Sequence, residues 1–458
     1  MDGAGRIDEV VAALQSQFAE RCSVNRDVLE RHGQGESWHA SAPPDAVVYP
    51  RTTEEVSDIV RQCSAAGVPV IPFGAGTSLE GQVQALHGGV CIDLSQMDKI
   101  IAVHAEDMDC IIQPGVTRAA LNSHLRDTGL FFPIDPGAEC TIGGMVGTRA
   151  SGTNAVRYGT MRENVLGLTV VMADGATIKT GGRARKSSAG YDLTRLFIGS
   201  EGTLGVVTEI ILKLHGVPEA TAVAVVSFPT IDEAVTTVIE TIQCGVPIAR
   251  IELMDDVSVD AVNRYAKLDL EVAPTLFMEF HGSENGVREQ AETVQDIAGA
   301  HQGGSFVWSD KPEDRSKLWQ ARHAAYYAAL ALKPDSKGLA TDVCVPISRL
   351  GDCIRETKAD LDACPMPAPL LGHVGDGNFH VVFIMDPDDE SQVHEAERLH
   401  TRMVERALAM GGTCTGEHGI GFGKRDLLAA EAGNAVGVME LIKHALDPGG
   451  ILNPGKLF

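Results

Sequence analysis

The sequence predicts an α+β protein of more than one domain. Three observations carry that expectation: 458 residues exceed what one compact core holds, helix and strand signals alternate from Val48 onward, and the texture changes after His215-Gly216-Val217-Pro218. Four segments are expected: residues 1–44 as an N-terminal helical arm, 45–218 as a first domain rich in glycine loops, 219–410 as a second α+β domain, and 411–458 as a C-terminal segment that packs back on the first.

In the first domain, Thr52-Thr53-Glu54-Glu55 has the capping-box form, Val56, Ile59, Val60 and Cys63 follow at helical spacing, and Gly67 supplies the stop. A strand over 68–73 runs into Gly74-Ala75-Gly76-Thr77-Ser78. Short strands are expected at 90–93 and 109–113, then a helix over 117–127 closed by Gly129. Residues 131–160 are dense in Gly, Pro, Ser and Thr, which inside a compact domain reads as a ligand-binding loop. Strand-like runs return at 166–172 and 204–214. Beyond Pro218, a strand near 222–227, a helix near 231–244 and strands at 247–254 and 275–280 give a β-α-β-β order.

Composition excludes several classes. Hydrophobic content of 44% with 22% charged residues is ordinary for a globular chain, and neither disorder nor a fibrous repeat is suggested. A formal charge of −24, from 62 acidic against 38 basic side chains, repels phosphate backbones, so nucleic acid is not an expected partner. No stretch approaches the roughly 20 apolar residues of a membrane span. The opening MDGAGRIDEVVAALQSQF reads as an acidic amphipathic helix rather than a targeting signal, and a cytoplasmic location is expected. The 10 cysteines form no CxxC pair and read as buried, reduced thiols.

The loop Gly74-Ala75-Gly76-Thr77-Ser78 offers backbone N–H groups with little steric cover, which suits a pyrophosphate where Lys and Arg are scarce. Neither GxGxxG nor GxxxxGK[ST] occurs, which disfavours the nicotinamide fold and the P-loop. Three more glycine clusters follow: Thr141-Ile142-Gly143-Gly144-Met145; Ala150-Ser151-Gly152-Thr153-Asn154 with Arg157-Tyr158-Gly159-Thr160; and Gly199 to Val207. In order and content these loops resemble the FAD domain of the vanillyl-alcohol oxidase and p-cresol methylhydroxylase superfamily, over about residues 45 to 218. The resemblance implies the two-subdomain FAD-binding fold of that superfamily plus a substrate (cap) domain. Pyrophosphate would be held by Gly74 to Ser78 with Ser151 and Gly152, and Pro136 to Met145 would lie along the flavin. Glu201 with Gly205, Val206 and Val207 would follow the cofactor through the main chain, and Pro72 and Tyr158 complete the set. The first loop has no His to link flavin, so non-covalent FAD is expected.

Two motifs occupy the C-terminal third. In Gly372-His373-Val374-Gly375-Asp376-Gly377-Asn378-Phe379-His380 the two imidazoles stand 7 residues apart, and on one continuous strand they would face opposite ways. A turn through Gly-Asp-Gly-Asn lets them converge. The second is Thr415-Gly416-Glu417-His418-Gly419-Ile420-Gly421. Two His and a carboxylate make a sound ligand set for zinc, manganese or a similar divalent ion. With Asn453-Pro454-Gly455-Lys456, these motifs resemble the branch containing D-lactate dehydrogenases, D-2-hydroxyglutarate dehydrogenases and glycolate oxidase flavin subunits. That resemblance implies His373, His380 and Glu417 as metal ligands, His418 as a catalytic base and Asn453 near substrate and flavin.

In Leu318-Trp319-Gln320-Ala321-Arg322-His323 the resemblance makes Arg322 the group that binds the substrate carboxylate, and planar bidentate pairing suits it to that role. Relatives acting on 2-hydroxyglutarate add a Thr and a Lys for a second carboxylate, where this chain has Tyr326 and Ala340. A second carboxylate without a cation would be buried unpaired. A small D-2-hydroxy acid, above all D-lactate, is therefore the expected substrate. The electron acceptor would be a quinone, an electron-transfer flavoprotein or a cytochrome, and a homodimer is expected. The rival expectations are a flavin subunit of a larger glycolate-oxidising complex and a non-redox transferase resembling alkyl-dihydroxyacetone-phosphate synthase. Dye reduction by the purified lone chain separates them.

Overall fold

The computed structural model describes residues 3–458. The chain forms two compact units: one from the residues up to Ser151 with Gly159–Val217 and Glu417–Phe458, the other from Gly152–Tyr158 and Pro218–Gly416. The division departs from the four expected segments in three places. Residues 3–44 are no separate arm, because Val10, Leu14 and Phe18 of the helix Gly3–Phe18 join one core with Val56, Ile59, Val60 and Cys63. Residues 152–158 go with the second unit, and the C-terminal return starts at Glu417 rather than 411.

The first unit holds two main sheets besides the short pairing of Leu130–Phe131 with His215–Gly216. In one, the strands Ala46–Val48 and Val70–Phe73 flank Val90–Asp93 in parallel. The other is antiparallel, in the order Ile100–His104, Asp109–Ile112, Val206–Lys213, Val165–Val171, Thr177–Lys179. The helix Thr53–Ala66 starts where its sequence signals start it: the Thr52 side chain accepts from the Glu55 N–H, and Gly67 ends it at φ +65°. The reciprocal half of the capping box is absent. Glu55 instead accepts from the Arg51 N–H and pairs with Arg21 at 2.7 Å. The C-terminal strap closes on the first sheet, with Val70 donating to the Ile451 carbonyl and Asn453 to the Val70 carbonyl, each at 2.8 Å.

The second unit is built on an antiparallel sheet whose central strands are Ala220–Ser227, Thr275–Gly282, Ile248–Met254, Leu370–Gly372 and Asn378–Met385. Strand side chains alternate between faces. Ala222, Ala224, Val226, Met278, Phe280 and Ile251 fall on one face, packed by the helices Ile231–Gln243 and Glu284–Ala300. The cross-strand register puts Arg250, Glu252, Glu279, His281 and His380 on the other face, beside Met254 and Phe277.

The helix Pro312–His323 lies over this charged face. Its docking stripe, Arg315, Trp319 and Arg322, has helical spacing but carries polar heads. Arg315 Nε and Trp319 Nε1 donate to Glu279, and Arg322 Nε donates to Glu252 at 3.0 Å. Arg250 stacks over the Trp319 ring at 4.7 Å. Two buried carboxylates on neighbouring strands thus set where the helix sits and which way Arg322 points.

Between His373 and His380 the chain makes one 3-10 turn, Val374–Asp376, and reverses at Gly377 with φ +79°. A Cβ on Gly377 would stand 2.1 Å from the Val345 carbonyl oxygen. Gly377→Ala is therefore strained in φ and in space, and should destabilise the protein by more than about 1 kcal/mol. A wild-type thermal midpoint in that variant would contradict the turn as described.

Candidate active site

The structure brings His373, His380 and Glu417 together, with one ligand atom from each lying within 4.8 Å of the others. Glu417 directly follows Gly416, the last residue of the second unit, and local bonds fix its approach. Cys344 and Thr413 form a β-bridge, Thr415 Oγ1 donates to Asp342 at 2.7 Å, and Asn378 Nδ2 donates to the same carboxylate at 2.7 Å.

Both imidazoles are oriented by their Nδ1 atoms. His380 Nδ1 meets the Thr341 carbonyl at 2.9 Å, and a carbonyl can only accept, so Nδ1 carries the proton. His373 Nδ1 meets Glu252 at 2.8 and 2.9 Å. Nε2 is then the atom through which each ring would bind a cation, and the rings meet edge to face with centroids 5.4 Å apart. This donor set fits a divalent cation, zinc or manganese among them.

Glu252 is fully buried and also accepts from Arg322, with Nη2 at 2.7 Å. Burial pushes its carboxyl up, but the charges of His373 and Arg322 outweigh burial and hold it below the ordinary carboxylate value. Glu279 behaves alike: burial raises it, while bonds from His281 and the charges of Arg250 and Arg315 bring it down to about 2. Arg322, expected from sequence to bind a substrate carboxylate, is itself buried and anchored on its Nε and Nη2 side, which turns its Nη1 corner to any second partner. Sequence reading missed Glu252, Glu279 and Asp342. The available signal was a charge at alternate positions inside apolar strands, as in Arg250-Ile251-Glu252 and Glu279-Phe280-His281, since a buried strand charge demands a partner.

In the first unit, the loop carrying His418 is clamped by Glu201. Its carboxylate accepts from the Ile420 N–H at 2.7 Å and the Gly421 N–H at 2.8 Å, while Gln82 Nε2 donates to the His418 carbonyl at 2.9 Å. His418 Nδ1 lies 3.9 Å from Glu80, which pairs with the fully buried Lys424 at 2.9 Å. Asn453, held at φ +40°, donates from Nδ2 to the Gln82 and Glu201 carbonyls. Its Oδ1 is buried with no hydrogen-bond partner among the described residues.

The glycine loops fit a pyrophosphate. Ser78 Oγ is buried and has no hydrogen-bond partner among the described residues, Gly76 has φ +71°, and a Cβ on Gly74 would stand 2.4 Å from Thr141 Oγ1. Thr141 caps the helix Ile142–Thr148 by accepting from Gly144, and Gly143 closes on Pro114. Pro72 packs on Gly202, and Gly205 on Val170 and Phe197. Val206 is a core side chain, which leaves only its main chain for a ligand. Pro136 is partly buried and Ala75 exposed. The Tyr158 hydroxyl, expected near the cofactor, is bonded to His281 Nδ1 at 2.7 Å within the second unit, which also holds Gly152.

Comparison with known proteins defines the class: the chain belongs to the FAD-linked oxidases. Residues 217–457 match the family "FAD linked oxidases, C-terminal domain", and residues 44–181 match "FAD binding domain". The chain is 53% identical over 456 residues to "Probable D-lactate dehydrogenase, mitochondrial" of Danio rerio, covering 98% of this chain and 92% of that one. It is 47% identical to "D-lactate dehydrogenase [cytochrome], mitochondrial" of Arabidopsis thaliana, covering 98% and 80%. Its fold is that of substrate-bound p-cresol methylhydroxylase, at 17% identity and TM-score 0.81 over 99% of this chain and 97% of the other.

These relatives overturn the expected cytoplasmic location, because both carry mitochondria in their names. Net charge and an acidic first helix describe a surface and carry no address. Among the described residues no helix is long and apolar enough to cross a membrane.

Burial raises the Glu201 carboxyl from its ordinary 4.5 to about 7, against the lowering effect of the Ile420 and Gly421 amides. Stability from this group is therefore full below the ordinary value and is lost as pH rises through the raised one. Glu201→Gln removes the titration. The wild-type thermal midpoint minus that of the variant should fall between about pH 5 and about pH 8; a level difference would mean that the carboxylate is ionised throughout.

Proposed function

We propose that this chain is an FAD-dependent D-2-hydroxy-acid dehydrogenase with D-lactate as its preferred substrate, using a divalent metal and a histidine base. One observation carries the reading: Glu252 joins a two-His, one-Glu cation site to a buried arginine. A dication and a guanidinium are what a vicinal hydroxyl and carboxylate need. The naming of the relatives supports D-lactate. So does Tyr326, a neutral side chain that packs in a cluster with Leu330, Val382 and Ile384.

Arg322 binds the substrate carboxylate and fixes its plane. His373, His380 and Glu417 hold the cation, which when bound supplies a Lewis acid that lowers the hydroxyl pKa. His418 accepts the hydroxyl proton on a ring nitrogen, with Glu80 near Nδ1 to offset the positive charge. The glycine loops would hold FAD without a covalent link, and the flavin would supply the acceptor for the Cα hydride as the hydroxy acid becomes the 2-oxo acid. Asn453, backed by two carbonyls, keeps its Oδ1 for substrate or flavin. A cytochrome is the proposed electron acceptor, as the name of the Arabidopsis relative indicates for that protein.

His418→Ala should lower turnover by about 100-fold or more while leaving flavin absorbance intact; undiminished turnover would remove His418 from the chemistry. Chelation should abolish activity without bleaching the flavin, and added zinc or manganese should restore it. Anaerobic mixing with D- and L-2-hydroxy acids should reduce the flavin fastest with D-lactate. Faster reduction by an L-enantiomer or by a dicarboxylate would refute the substrate assignment.

A further inference from the structure

We propose that Glu252 is a positioning residue that ties metal binding and substrate-carboxylate recognition into one coupled unit. The inference rests on the metal site and the role of Arg322 proposed above. Glu252 is fully buried, and both of its oxygens are spent on these two partners: Oε1 and Oε2 on His373 Nδ1 at 2.8 and 2.9 Å, and Oε2 also on Arg322 Nε at 3.0 Å and Nη2 at 2.7 Å.

A carboxylate on Nδ1 fixes the tautomer and orientation of a metal-binding imidazole and raises its basicity. The same carboxylate holds the guanidinium fork in its plane. One buried anion accepting from both a guanidinium and an imidazole N–H cannot shift toward either without loosening the other, since each donor would be left partly uncompensated. Occupancy of the cation site therefore presets Arg322, and Arg322 presets His373. Glu252 touches neither substrate nor metal and acts through its partners.

Two variants of the flavin-loaded enzyme test this. Glu252→Gln puts an amide donor against groups that themselves donate. It should weaken manganese or zinc binding by about 10- to 100-fold, measured by competition with a fluorescent chelator. At saturating metal, KM for D-lactate should rise more than kcat falls. Glu252→Asp keeps the buried charge but is one methylene too short to span both partners. At least one of the two constants should move about 10-fold, an effect that charge alone would not produce and that decides the matter if Glu252→Gln does not fold. A wild-type enzyme that binds no divalent cation overturns the metal reading and this proposal together. Tight wild-type metal binding with unchanged metal affinity and KM in Glu252→Asp overturns the coupling alone.

Discussion

Two carboxylates buried side by side on one face of a sheet, Glu252 and Glu279, constrain the whole of the second unit. A charge in the middle of an antiparallel sheet is expensive to desolvate, and hydrogen-bonded cations must meet it. Glu279 gathers Arg315, Trp319, His281 and, at 3.8 Å, Arg250. Glu252 gathers Arg322 and His373. The helix Pro312–His323 consequently has one way to lie on the sheet, and that placement aims its last arginine toward the histidine turn. The opposite face, packed with Ala, Val, Met and Phe under helices, supplies the apolar burial that makes the charged face affordable.

The first unit solves a related problem with backbone. The loop after Glu417 turns through Gly419 at φ +79° and Gly421 at φ +52°, and it leaves amides to be satisfied. Glu201, itself at φ +51°, satisfies two of them with one buried carboxylate. A Cβ on Gly421 would stand 1.8 Å from the Glu80 carbonyl oxygen, so the loop has no slack on that side. His418 thus rides on a segment whose flexible glycines are immobilised by their surroundings, a way to hold an imidazole in one orientation without a regular helix or strand.

Those differences in construction explain what could be read from sequence. The histidine turn was legible because its parts are contiguous: glycine permits the reversal, and the two rings flank it within one motif. The turn at Gly76 was legible for the same reason, and Thr52 and Gly67 announced the helix they bound. Glu252 was only half legible: the alternate charges in its strand demand partners, but those partners lie 70 and 121 residues away and nothing local names them. Glu201 was read as a main-chain contact of the cofactor, and nothing local announced that its carboxylate serves amides 219 and 220 residues further on. The N-terminal helix looked like an arm because its apolar stripe, seen alone, does not say which core will take it.

The docking stripe of Pro312–His323 shows why the arrangement resists simplification. Spaced as an apolar stripe would be, Arg315, Trp319 and Arg322 could in principle be replaced, together with Glu252 and Glu279, by well-packed hydrophobic residues, and such exchanges are often neutral or stabilising. Stability alone therefore does not account for burying these charges. What the charged version provides is direction. An apolar stripe tolerates small rotations and slides of a helix, but a guanidinium fork on a carboxylate fixes orientation as well as contact. The site proposed above, in which Arg322 would meet a small carboxylate at a set distance from His373, would gain from that rigidity. The buried charges are best understood as the part of the fold that serves chemistry, carried by a sheet whose other face holds the structure together.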